Sequence, residues 1–174
     1  KKERIAELVR LNQPVSDQLD HLSEALAERP YYHVPHPWHD AFLLLETESS
    51  GMQILNAAHG FLLRATLNLH SGNQSGAAAD ITSCLRLSSA VGQDPLLVNL
   101  LAECNLRKIA LSALWDGLAG TDWSEQELRN FGKELSTISP AGTRLLKIIR
   151  ASRAQVLGLI DSLQDPPGGG GSVR

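Results

Sequence analysis

The chain has 174 residues, 43% hydrophobic and 20% charged, with a formal net charge of -3. That length holds one domain with a single sizeable core, and a slightly acidic balance gives nucleic acid no electrostatic reason to bind. No apolar run approaches the ~20 residues needed to span a bilayer, and two cysteines, Cys84 and Cys104, exclude a disulfide scaffold and a four-ligand structural zinc site.

The chain opens Lys1-Lys2-Glu3 without a Met, as expected of a fragment or a processed chain, so the absence of a signal or anchor here carries no weight. Ile5, Leu8, Val9, Val15, Leu19, Leu22 and Leu26 follow helical spacing. Pro14 either starts a second helix or kinks a continuous one. Arg29-Pro30 ends this region, since a residue before proline is pushed out of the α basin. Residues 30–37 hold three prolines in PYYHVPHP and read as an extended connector. A short helix is expected over Trp38 to Leu45, because nothing else in the chain offers a strand there a partner. Ser49-Ser50-Gly51 breaks or softens the path into a helix from Met52 to His70.

Ser71-Gly72-Asn73 is a turn, followed by a helix over Ser75 to Val91. Gly92-Gln93-Asp94-Pro95 reads as a stop and a start: Gly as C-cap, Asp as N-cap, Pro at the first helical position. Leu96 to Leu118 is apolar around most of its girth, which predicts a central position. Ser124 with Glu127 fits a capping box opening a helix through Leu135. A last helix runs from about Thr143 to Leu163. Residues 165–174, which include four consecutive glycines, form a flexible tail.

Two hairpins carry internal checks. Arg64 lies eight residues before Gly72 and Asp80 eight after it, so an antiparallel pairing sets the two charges opposite each other. Cys84 and Cys104 each lie ten residues from Asp94. Two states stay open for them: a disulfide in an oxidising compartment, or two buried thiols acting as small hydrophobes.

Leu62 to Pro95 has the length of a tetratricopeptide unit, with Gly72 at the turn, Ala77/Ala78 at the close approach and Pro95 near the end. It resembles a degenerate copy of that repeat, without its aromatic positions or a clean second copy. A wider set of features runs from Trp38, after the proline-rich connector, to Leu135. It comprises Leu62-Leu63-Arg64-Ala65, Gly72, Ala78-Ala79-Asp80-Ile81, Leu85-Arg86-Leu87, Pro95-Leu96-Leu97, and Trp123-Ser124 through Leu128. This set resembles a group of uncharacterised helical proteins from planctomycete and verrucomicrobial genomes. The resemblance implies an exported, periplasmic or envelope-associated protein, often with an upstream membrane helix. It supplies no activity.

Chemical leads are few. His33, His36 and His39 stand at intervals of three beside Asp40, a donor set suited to a divalent metal such as zinc, nickel or copper(II). An extended segment would have to bend to bring the three rings together, and surface histidines over Tyr31, Tyr32 and Trp38 are the simpler reading. His59 and His70 are lone helical histidines. Glu46 and Glu48 diverge on a helix and make a poor acid/base pair, and no serine sits in a nucleophile elbow. Lys147, Arg150 and Arg153 form a cationic stripe on the last helix, either a solvated face or a contact for an acidic partner or lipid headgroups.

The expectation is therefore an all-α chain of antiparallel helical hairpins, tetratricopeptide-like or a bundle, with six or seven helices. Its parts are an N-terminal helical segment (1–29), a connector (30–37), a hairpin core (38–164) and the tail (165–174). No catalytic or cofactor-binding residue is assigned. The expected function is a non-enzymatic interaction or scaffold module that holds a protein partner in a groove between hairpins. The alternative is a metal- or small-molecule-binding domain built on His33, His36 and His39. An enzyme whose site is assembled from distant residues stays open.

Overall fold

The computed structural model describes residues 2–29, 31, 43–93, 97–120, 122–138 and 141–164. Among them are six helices and no strand: α1 (Lys2–Glu28), α2 (Leu43–Ser71), α3 (Gln74–Val91), α4 (Leu97–Gly120), α5 (Glu125–Ser136) and α6 (Ala141–Gln164). The chain is all-α, a bundle of helical hairpins.

Pro14 lies inside α1, which continues through it at the loss of one helical hydrogen bond. Likewise α2 passes unbroken through Ser49-Ser50-Gly51, where a break or softening was expected. A single mid-helix glycine costs only about 1 kcal/mol, which a helix of this length absorbs. The α2–α3 reversal is tight. Gly72 sits at φ 81°, in the left-handed region that glycine enters without steric cost, and the Asn73 side chain accepts from the Gly76 N–H as N-cap.

The centre of the molecule is α3, not α4. α3 packs between α2 and α4 and also meets α1 and α5. Eleven of its eighteen residues are buried, many of them small: Ala77, Ala78, Ser83, Cys84, Ser88 and Ala90. Small side chains let several helices crowd round one axis, and the larger Ile81 and Leu85 fill the space between them, meeting Phe61 of α2 and Leu106 of α4 in one core. The expectation that Leu96 to Leu118 would be central is thus corrected. An all-round apolar helix is compatible with burial or with an uncovered interface, and α4 buries only the side carrying Asn99, Glu103, Leu106, Ala110 and Ala113.

Gly92 does act as the C-cap of α3, but at φ -72°, so its backbone asks nothing special of glycine. The reason for glycine is space: a Cβ there would collide with the Arg144 guanidinium and the Glu103 carboxylate. Asp94 and Pro95 lie outside the described residues. The capping box of α5 is present, with Ser124 accepting from the Glu127 N–H and the Glu127 carboxylate accepting from the Ser124 N–H at 2.8 Å. Trp123, just before it, meets Phe131 edge-on at 5.4 Å and lies over Gly117, where a Cβ would strike the indole.

Candidate interaction surface

Arg64 joins three helices. Its Nε and Nη2 donate to Asp80 Oδ1 on α3 at 2.9 and 2.7 Å. Its Nη1 donates to Asp20 Oδ1 at 2.6 Å and to the Ser16 carbonyl at 2.9 Å, both on α1. Asn68 Nδ2 donates to the other oxygen of Asp80 at 3.1 Å. Burial pulls the guanidinium towards neutrality, but the hydrogen bonds and charges of Asp80 and then Asp20 outweigh it and leave its pKa raised. Burial also pushes the Asp80 carboxyl up, and Arg64 offsets only part of that. With its donors so engaged, Arg64 clamps α1, α2 and α3 together and offers a ligand little.

Asp20, the third member, was missed in the sequence. Its signal is that Ser16, Leu19/Asp20, Ser23 and Leu26 recur at helical spacing on one face of α1.

The structure does not bring the two cysteines together. Both are free, Cys84 buried and Cys104 exposed. Cys84 points its thiol at the Leu106 carbonyl, 3.9 Å away, and burial, helped by Asp80, pushes it up to about 12. Cys104 is therefore not the buried hydrophobe that one of the two sequence readings made it. His33, His36 and His39 lie outside the described residues. Among the described residues no three His, Cys, Asp or Glu side chains converge as metal ligands, and His59 and His70 are both exposed.

One cleft of about 300 Å³ opens over α3 between α1 and α5. Its floor is Ser75, Ala78, Ala79 and Thr82, with Asn130 and Phe131 on the α5 side. Ser23 and Ser83 meet across it at 2.7 Å. The charges at its rim are spent: Arg86 pairs with Glu134 at 2.8 Å and Glu127 caps its own helix. Among the described residues the cleft thus holds no free acid, base or nucleophile pair.

The outer face of α4 is of another kind. Leu97, Leu101, Cys104, Lys108, Leu111, Trp115 and Leu118 recur at alternating intervals of four and three, and every one is exposed. Trp115 is 74% and Leu101 63% accessible. The flanking Asn105, Ser112 and Ala119 are small and leave the stripe open.

A buried ionic knot lies at one side of α4. Glu103, fully inaccessible, takes Arg107 from its own helix and Arg144 from α6 on the same oxygen. Its second oxygen and the Arg107 Nε find no partner among the described residues. This knot, with Ile148, fastens α6 to α4.

An all-α hairpin bundle with an uncovered apolar stripe is the class that this geometry defines. No protein-family model, curated protein or solved structure matches the chain.

Proposed function

We propose that the chain is a non-enzymatic interaction module that holds a partner helix along the outer face of α4. The observation that carries this is the four-three stripe from Leu97 to Leu118 lying open to solvent. That spacing is the seam of a coiled coil, in which each apolar side chain enters a gap on the facing helix. The stripe exposes on the order of 500 Å² of apolar side chain, in the upper part of the ~300–600 Å² found for the largest patch on a monomer. Trp115 has the size and rigidity of a binding anchor.

Lys108 stands midway along the stripe. Two copies of this face would bring two ammonium groups into its central layers. The fitting partner is a different helix, with apolar residues at the same spacing and a carboxylate at the level of Lys108. In this reading the chain works at the bacterial envelope, as its likeness to the planctomycete and verrucomicrobial helical proteins implies, and fractionation of the source cells checks that placement.

Cys104 makes the seam directly testable. It is exposed within the stripe while Cys84 is buried and protonated, so a thiol-reactive photocrosslinker attaches at Cys104. The expected result is a discrete adduct with one partner in an extract of the source cells, lost in the Leu101→Asp/Leu111→Asp variant. An adduct pattern that this variant leaves unchanged, or no adduct at all, overturns the proposal.

A further inference from the structure

A second surface points to a different ligand. Arg144 and Ile148 fix which side of α6 faces the bundle. At 100° per residue, Leu145, Ile149, Val156 and Ile160 then fall together on a flank away from that side, and Leu146 and Leu157 widen the arc to about 120°. All six are exposed. The arc runs about 22 Å along the helix.

Charge is distributed just as unevenly. Between Ala141 and Ile160 the sequence has four cations and no acid, in a chain whose net charge is -3. Arg144 is spent on Glu103, but Lys147, Arg150 and Arg153 are exposed; Arg150 and then Lys147 follow one edge of the apolar arc, and Arg153 lies within it. No helix among the described residues is long and apolar enough to cross a membrane. An amphipathic, cationic helix of this kind lies in the plane of a bilayer surface.

We propose that α6 docks flat on an anionic lipid surface, its apolar arc in the acyl boundary and its three free cations on the headgroup phosphates. Three free cations and no acid over this length favour lipid, which meets each of them with a phosphate, over a packed protein helix, which needs a carboxylate for every one; Arg153 is the most telling. It falls inside the apolar arc, between Ile160 and Leu157. Against a packed helix it would be a buried charge requiring one fixed carboxylate. On a bilayer its stem lies along the apolar surface while the guanidinium reaches back to a phosphate.

The test uses the whole chain with vesicles of phosphatidylcholine alone and of phosphatidylcholine with 30% phosphatidylglycerol. Co-sedimentation is expected with the anionic vesicles only, weakening about tenfold or more in high salt. The Lys147→Glu/Arg150→Glu variant is expected to bind about tenfold or more weakly. Ile149→Asp/Val156→Asp should lose binding with every cation in place. These positions are exposed, and helical circular dichroism verifies that the variants fold. Leu101→Asp/Leu111→Asp should bind vesicles as the parent does, which separates this surface from the α4 seam. Equal binding to both vesicle types, binding to neither, or binding that survives the Ile149→Asp/Val156→Asp change overturns the proposal; so does displacement of α6 from vesicles by a soluble acidic peptide at equal charge concentration.

Discussion

Asp80 is 2% accessible, with Arg64 as its principal partner. Replacing it by Ala strands a guanidinium that still has Asp20 and the Ser16 carbonyl, and breaking such a pair costs about 3 kcal/mol. Chemical denaturation of Asp80→Ala should show that loss. Arg64→Met/Asp80→Leu should recover most of it, because an apolar pair has no charge to desolvate. Cys84 yields a prediction in base. Its folded pKa of about 12 stands above the ordinary 9.0, so the protonated thiol contributes stability that is fully present below pH 9.0 and lost as pH rises through about 12. In that window stability should fall by about 1.4 kcal/mol per pH unit more in the parent than in Cys84→Ala, read as the difference between their denaturation midpoints. Spacing alone brought Arg64 and Asp80 together, because a hairpin with a known turn is a ruler. The same ruler set Cys84 and Cys104 equidistant from Asp94, yet Cys104 faces solvent. Equal distance from a turn sets the level along two helices and leaves the rotation about each axis free.

At the level of elements, two glycines on consecutive helices should respond with opposite sign. No atom lies within 4 Å of where a Cβ on Gly132 of α5 would stand, so Gly132→Ala should stabilise by about 1 kcal/mol through helix propensity. Gly117 in α4 supports the Trp123 ring. Gly117→Ala gains the same propensity but overpacks, at about 1–3 kcal/mol. It should lower the midpoint and shift the Trp123 emission.

Helix ends were legible wherever a local rule governed them: the Ser124–Glu127 box and the Gly72 turn; at Gly92 the end was legible but its reason, room for Arg144 and Glu103, was not. The rank of the helices was not. α4 is rich in Leu and reads as interior, whereas α3, with Ala77, Ala78, Ser83 and Ser88, reads as indifferent. Packing reverses that, because the helix with most neighbours needs the smallest side chains. Of the candidate surface, the leucines of α4 were visible in the sequence, but their freedom from cover depends on which helices lie beside them.

Across the whole molecule, cohesion is uneven. α1 to α4 share one core, with α5 pinned to it by Phe131 and by Arg86–Glu134. α6 is joined through Ile148 and Arg144. Local opening follows the density of buried apolar contacts. Amide hydrogen exchange should therefore find α6 opening well before α3, and Glu103→Gln should speed α6 further while the amides of Ile81 and Leu85 keep their protection. The sequence showed no sign that Glu103 would bind two arginines from two helices. Only its i, i+4 spacing to Arg107 was legible, and Arg144 arrives through tertiary structure.

The crowding around α3 also determines where variation is tolerated. A scan of every substitution should invert the usual hydrophobic ranking: the exposed leucines of α4, Leu97, Leu101, Leu111 and Leu118, would accept lysine or glutamate with little loss of folded protein, while Ala77 and Ala90 would reject even valine. Selection for folding alone would then let the seam erode by drift. Survival of those leucines in a population would be the mark of a partner, and abundance measured beside fitness would distinguish it from mere upkeep of the fold.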